Sequence, residues 1–425
     1  MSVVASTKKV ASTLWDHKKK TIFGAVCLGT LVRYLRNRER DRKIFRDYCL
    51  QALQYGNENI LAPVIPRRIT VLVRDTKART LFEKHAFPLL NLAGLQVDVV
   101  LPQDSKQLTT VASVLTRNDA DLVYIVGSDD TVSRVLTGLL QSKDDVKRQA
   151  PPTARSSASR LVPPVGVFFD DASNVMKSQC ENAMSVIRGL VKEASVLQVK
   201  IKDGDPVCVL NAVHWGRFAD TEQAVPRYWY WGPLKQRVAY FFKAFGGEPD
   251  SVEASIQYVE PCIGCSKCYV APVVQKRHWL MRLLFGQPKV NTGPDYSKVI
   301  NENCGTVHSA EFQTVEVIAK NDPGSTAPAF DVIYGPGRMG ETAFLREGWH
   351  RCKKGDTLKP SEQNSNVIRA RQAEITFKKK LKEEGEEEEP PSQLVVGGEL
   401  MDLADFTVRM IPRAIQLVTA APLGS

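Results

Sequence analysis

The spacing of apolar residues changes near residue 196, so the chain divides into two textures. Before that point, short β-branched runs alternate with stretches whose apolar residues recur every three or four positions. "ITVLV" (69–73) reads as a strand, "ARTLFEKHAFPLL" (78–90) as a helix, "LQVDVV" (95–100) as a strand and 106–117 as a helix. "DLVYIV" (121–126) is a third strand, after which Val132, Val135, Leu136, Leu139 and Leu140 share one helical face. The stretch 142–163 turns charged and then Pro/Ser/Arg-rich, a surface loop. "VPPVGVFF" (162–169) reads as a fourth strand and 173–192 as a helix. Strands that alternate with helices predict an α/β, doubly wound domain over 61–195, with helices on both faces of a parallel sheet.

From Val196 onward the runs are strand-like: "SVLQVKI", "VCVLNAVHW", "ASIQYVE", "TVEVIA", "AFDVIYG", "SQLVVGG", "FTVRMIP" and "AIQLV". Residues 196–425 therefore read as an antiparallel β-sandwich domain. A helical insertion, "PRYWYWGPLKQRVAYFFKAF" (226–245), interrupts it. Its Trp, Tyr and Phe residues suit either a helix lying in a lipid interface or a core helix packed on the sandwich, and the core placement is the preferred expectation. His214 and Trp215 are expected to fill the interface between the two domains. The charge blocks of 378–391 make a solvated acidic loop.

Charge changes the picture at one end only. Residues 1–46 hold twelve Lys or Arg against Asp16, Glu39 and Asp41, so nine of the ten excess positive charges sit there. No basic folded face with interleaved aromatics is visible, and a nucleic-acid partner is not expected. Within this basic segment (1–60) the run "TIFGAVCLGTLV" (21–32) is uncharged, yet shorter than the ~20 residues that span a bilayer. It fits a secretory signal, a mitochondrial presequence that also anchors the chain, or a buried or lipid-lying helix.

Chemistry concentrates in "VYIVGSDDTVSRVLTGLL" (123–140). A strand, a small-residue turn and a helix form the arrangement in which backbone N–H groups meet phosphate. Such a turn ordinarily needs glycines, because a Cβ blocks close approach. Here only Gly127 remains, with Asp129 and Asp130 side by side.

The order of the two halves and this turn resemble the diacylglycerol/sphingosine lipid kinase superfamily, in particular its acylglycerol kinase family. The resemblance is carried by "KARTLFEK" (77–84), "VSRVLTGLL" (132–140), "VLQVK" (196–200), "HWGRFAD" (214–220) and "RYWYWGPLKQRVAYFF" (227–242), and runs from about residue 20 to the C-terminus. It implies ATP- and Mg²⁺-dependent phosphorylation of mono- and diacylglycerol, contact with mitochondrial membrane lipids at the inner membrane or intermembrane space, and a further role as a subunit of the inner-membrane protein translocase.

The family's loops can be followed residue by residue. The first, Asn-Pro then Gly/Lys-rich, is replaced by "VRDTKAR" (73–79), about three residues shorter. The second, Gly-Gly-Asp-Gly-Thr, is Gly127-Ser128-Asp129-Asp130-Thr131. The third, Pro-Leu-Gly-x-x-Ser, falls at Phe169–Asn174 without its glycine, and the late Asp-Gly-Glu is Gly397-Gly398-Glu399. The match implies catalytic roles for Asp129 and Glu399, nucleotide contact at Gly127 and Thr131, and lipid-hydroxyl contact at Asp220. Side chains in the loops and the added carboxylates of Asp130 and Asp171 oppose a polyphosphate, and these losses favour a non-catalytic protein over an active or divergent kinase.

"CIGCSKC" places Cys262, Cys265 and Cys268 at a spacing that suits zinc, with Cys304, His308, Cys352 or His278 as candidate fourth ligands. A disulfide and a loop of free thiols are the alternatives. Cys27, Cys49, Cys180 and Cys208 lie in apolar or helical contexts, as small core or membrane residues do.

Overall fold

The computed structural model describes residues 18–60, 67–149, 163–169, 175–202, 204–246, 251–262, 264–267, 298–321, 329–378 and 393–418. Its first element is a 43-residue helix, α1 (Lys18–Ile60). The near half exposes Leu28, Leu31, Tyr34 and Leu35, whereas Phe45, Tyr48, Cys49, Ala52 and Tyr55 pack on the α/β core. The far half of α1 is thus part of the folded domain, although sequence reading assigned it to an appended segment. No described helix is long and apolar enough to cross a membrane.

Four parallel strands follow: β1 (Arg68–Val73), β2 (Gln96–Val100), β3 (Leu122–Gly127) and β4 (Val165–Phe169), in the order β2-β1-β3-β4. Between and after them run α2 (Thr76–Leu92), α3 (Ser105–Val114), α4 (Asp129–Gln149) and α5 (Val175–Arg188). Alternation along β3 shows why both faces are covered. Leu122, Tyr124 and Val126 point to the layer of α2 and α5, and Val123 and Ile125 to that of α3 and α4. Each fully buried aliphatic side chain of this kind is worth about 1.5–3 kcal/mol, so β3 anchors both layers.

The antiparallel half comprises β5 (Val191–Ile201), β6 (Val207–Val209), β7 (Ala212–Gly216), β8 (Val252–Val259), β9 (Val307–Thr314), β10 (Glu316–Asn321), β11 (Phe330–Tyr334), β12 (Asn366–Ala370), β13 (Gln372–Lys378), β14 (Gln393–Val396), β15 (Glu399–Asp402) and β16 (Phe406–Val418). A six-stranded sheet, β12-β11-β10-β7-β14-β15, packs on strands of the larger sheet, and Trp215, Val317, Phe330, Ile375 and Phe406 fill the space between them. The larger sheet is continuous: β4 is followed by β16, β13, β8 and β9, because Leu417 on β16 pairs in parallel with Val165. "FTVRMIP" and "AIQLV" are one strand, β16, irregular between Ile411 and Ile415, where Arg413 takes a φ of 50°. Strands β9, β12, β13 and β15 and helix α8 (Glu341–Lys354) escaped the sequence reading; β9 alternates "VHSAEFQT" with few large apolar residues, and α8 is strongly charged.

The aromatic insertion differs from its expectation. A 3-10 segment, Val225–Leu234, is broken by Gly232 and Pro233 before α7 (Lys235–Ala244) begins. Only Ala239, Tyr240 and Ala244 of α7 are buried, a narrow stripe set against α8. Ten helical residues offer one such stripe, so the remaining aromatics face outward: Trp229 is 76% and Phe245 66% exposed. The expected core helix is corrected to a surface aromatic ridge.

Candidate active site

A helix follows the carboxyl end of each of the four parallel strands, where open α/β sheets hold ligands, and α2 and α4 follow the neighbouring strands β1 and β3. Asp75 precedes α2 in extended conformation, and its Oδ1 accepts from the N–H of Ala78 at 2.8 Å. That bond, and then Arg74, hold the Asp75 carboxyl below the usual range against a smaller upward pull from burial. In place of a glycine loop, "VRDTKAR" makes an ordinary capped helix start.

Asp129 and Asp130 occupy the first turn of α4, where the helix dipole favours negative charge. Asn211, just before β7, donates from Nδ2 to Asp129 Oδ1 at 2.7 Å. Ser128 Oγ donates to Asp130 Oδ1 and accepts from Arg74 Nη1 at 2.7 Å. Arg74 also pairs with Asp75 at 3.0 Å, so one guanidinium joins the starts of both helices. The turn between β14 and β15 covers α4. Gly398 has a φ of +85°, and a Cβ there would lie 2.8 Å from the Asp130 nitrogen. Only glycine lets this backbone approach the helix so closely. Ser133 Oγ donates to the Gly397 carbonyl at 3.3 Å, and Glu399 Oε1 accepts from Arg134 Nη2 at 2.7 Å.

The fold therefore brings Gly127, Asp129, Thr131 and Glu399 to one place, from two segments about 270 residues apart in the chain. Asp220 belongs to a different group. It stands in the first turn of α6 (Arg217–Ala224), with Lys243, His214 and Arg217 as its charged neighbours, and burial raises its carboxyl. Asp170 and Asp171 of the third loop lie outside the described residues.

Sequence reading missed a charge network on the outer face of the six-stranded sheet. His214 and Trp215 were both expected in the domain interface; Trp215 instead points into the sandwich core and His214 the other way, because neighbours on a strand alternate. Its Nε2 lies 2.7 Å from Glu316 Oε1. Arg351 of α8 grips both Glu316 oxygens at 2.7 Å and reaches Glu347 at 3.2 Å, with its guanidinium 3.9 Å above the Phe218 ring. Ser361 and Asn364 complete Glu347. Burial pushes the Glu316 carboxyl up, but Arg351 and His214 outweigh it and bring it down to about 2. A lone Glu in the apolar run "TVEVIA" and a Glu–Arg pair four residues apart were the available signals.

Of the cysteine motif, Cys262, Cys265 and Cys304 have sulfurs within 4.8 Å of one another, while Cys268 and His278 lie outside the described residues. Cys352 packs beside the Phe218–Tyr240–Phe344 cluster and His308 beside Tyr258, so among the described residues Cys304 is the sequence candidate that joins the pair. Cys180 and Cys208 are core residues, and Cys27 is exposed.

Residues 74–199 match the diacylglycerol kinase catalytic domain, and residues 210–385 match the acylglycerol kinase C-terminal region. An uncharacterized protein of Caenorhabditis elegans is 30% identical over 83% of both chains. The mitochondrial acylglycerol kinase of Xenopus laevis is 30% identical over 262 residues. The chain belongs to the acylglycerol kinase family. The alignment with the Xenopus acylglycerol kinase spans 61% of each chain. A putative diacylglycerol kinase from Bacillus anthracis str. Sterne, 11% identical, covers 83% of this chain and 96% of its own with a TM-score of 0.47. The two matched regions meet between residues 199 and 210, and the cleft draws Asp129 and Arg134 from the first and Asn211 from the second.

Proposed function

We propose that this member of the acylglycerol kinase family is a non-catalytic protein of the mitochondrial membrane system, built on a kinase fold whose phosphate site has been taken over by the chain's own carboxylates. One observation carries the reading. Aspartates stand at the starts of both α2 and α4: Asp75 accepts from the Ala78 N–H at the place an anion would bind, and Asp129 and Asp130 put two carboxylates in the first turn of α4. Nearby cations are already engaged, Arg74 with Asp75 and Arg134 with Glu399. Two carboxylates at ~5 Å from a phosphate each oppose it by roughly 1 kcal/mol even in bulk water, and by more in a drier cleft. Such a site suits ATP less well than the family's glycine-bearing loops do. A hard divalent cation such as Mg²⁺ suits the oxygens of Asp129 and Asp130 better than a polyphosphate does.

The mitochondrial assignment is supported by the names of the Xenopus, mouse and human relatives. Contact with membrane lipid is supported by the ridge of Trp229, Tyr230, Trp231, Phe241, Phe242 and Phe245, exposed beside Arg227, Lys235 and Arg237. Aromatic and basic side chains together suit an anionic bilayer interface. A non-catalytic protein held there fits service as a subunit of the inner-membrane protein translocase, the role that the family resemblance implies.

A second reading, a divergent lipid kinase, is favoured by the retention of Asp129, Thr131 and Glu399 together, and by Arg134 Nε, which is buried without a hydrogen-bond partner among the described residues. Purified protein incubated with Mg²⁺-ATP and monoacylglycerol in mixed micelles separates the two. The proposed function predicts no phosphorylated lipid above background. Product that disappears in Asp129→Asn would establish the kinase instead.

A further inference from the structure

We propose that Cys262, Cys265 and Cys304 form a metal site of the zinc–thiolate class, which clamps the end of the β8–β9 hairpin. The proposal is independent of whether the cleft is catalytic. Strand β8 ends at Val259, and Cys262 and Cys265 follow in the next turn; Cys304 comes from the turn that leads into β9. Their three sulfurs lie within 4.8 Å of one another. In a tetrahedral zinc site, Zn–S bonds of ~2.3 Å put sulfurs ~3.8 Å apart. The observed cluster is therefore within about an ångström of ligating geometry.

Burial here has an unusual character. Cys180 and Cys208 are buried within the apolar clusters that hold the sheet and its helices. Cys262 and Cys265, 7% and 0% exposed, belong to none of the apolar clusters among the described residues. Their sulfurs instead lie close to each other and to that of Cys304. A buried cysteine that serves as a small hydrophobe needs apolar company; one that serves as a ligand needs other ligands.

The two turns are also held together around the sulfurs. Ser266 N–H donates to the Val299 carbonyl at 2.8 Å, and Lys267 Nζ donates to the Glu302 carbonyl at 2.9 Å. Asn301 occupies the centre: its carbonyl accepts from Cys304 N–H at 3.3 Å, and its Nδ2 donates to Cys262 Sγ at 3.6 Å. Donors to a ligating sulfur stabilise the thiolate and orient it, as outer partners of metal ligands do.

Ligand chemistry selects the metal class. Three soft sulfurs exclude magnesium and calcium, which take oxygen donors, and suit zinc. Each thiol releases its proton to solvent as the Zn–S bond forms, with no change of oxidation state. Three thiolates leave the fourth tetrahedral position to a water or another side chain. The site joins residues 39 positions apart, and β9 is the last strand of the larger sheet, so the metal secures an edge strand that has a neighbour on one side only.

The test uses the full chain purified without chelator. Elemental analysis should find one zinc per chain, and alkylation followed by intact mass should show thiols at 262, 265 and 304 that react only after chelator is added. Cys304→Ser should lower zinc affinity at least tenfold, whereas Cys352→Ser, in a separate apolar cluster, should keep the metal. A chain without metal, carrying a disulfide between any two of the three cysteines, would overturn the proposal. So would three thiols alkylated at once in the native protein.

Discussion

At the cleft, Arg134 meets Glu399 at 2.7 Å, with the two side chains 25% and 38% exposed. Behind the six-stranded sheet, Arg351 meets Glu316 at the same 2.7 Å, with 1% and 2% exposed. Identical distances therefore carry different physics. The half-exposed pair competes with water and contributes about 1 kcal/mol or less. The buried pair has surrendered its hydration, and both partners are held by His214, Glu347, Thr357 and the Phe218 ring. Removing one of them strands the other in a dry interior. The outer-face network maintains the fold, while the Arg134–Glu399 pair can be broken at small cost.

The largest expected effect breaks the buried side. Arg351→Met leaves Glu316 buried without its main partner and should destabilise the protein by about 3–5 kcal/mol, read from the urea midpoint. The same network predicts acid sensitivity. Glu316 has a folded pKa of about 2, below its ordinary 4.5. A carboxyl depressed in this way contributes stability that is fully present above the unfolded value and is lost as pH falls through the folded one. Stability should therefore decline from about pH 4.5 toward pH 2 in the wild-type protein, and far less steeply in Glu316→Gln.

At the cleft the effects shrink. Gly398→Ala places a Cβ against the Asp130 backbone at a φ of +85°, and should cost roughly 1–3 kcal/mol. Asp75→Ala removes a helix cap and should cost about 1 kcal/mol, while freeing the Ala78 N–H for an external anion. That variant sharpens the contrast: a small loss of stability accompanied by a measurable gain in phosphate-ester affinity would assign Asp75 to exclusion. A loss with no gain would make it a cap alone.

Much of the α/β half was legible because period-2 and period-3.6 patterns alternate cleanly there; β1, β2, β3 and α2 fall within a few residues of the expected spans, whereas α4 continues to Gln149 through the charged stretch from 142 that was expected to be a surface loop. The cleft was legible only through resemblance, since nothing local connects Glu399 to Arg134 across 265 positions. Strand β9 was missed because an edge strand with one covered face needs few large apolar residues, and α8 because its buried stripe consists of Phe344, Glu347, Gly348 and Arg351. A Glu and an Arg on a buried stripe look like a solvated face until Glu316 is placed opposite them. The aromatic insertion was misjudged for the converse reason: composition indicates that Trp and Phe favour burial, but a ten-residue helix cannot bury every face.

The central claim is that the chain's own aspartates occupy the phosphate site, and nucleotide binding tests it most directly. Thermal unfolding of the full-length protein with millimolar Mg²⁺-ATP should show no stabilisation, because ligand bound to the folded state adds RT ln(1 + [L]/Kd), about 2.7 kcal/mol at a hundredfold excess over Kd. The account predicts superimposable curves with and without nucleotide. A saturable rise in melting temperature, absent with Mg²⁺ alone and lost in Gly127→Val, would contradict it.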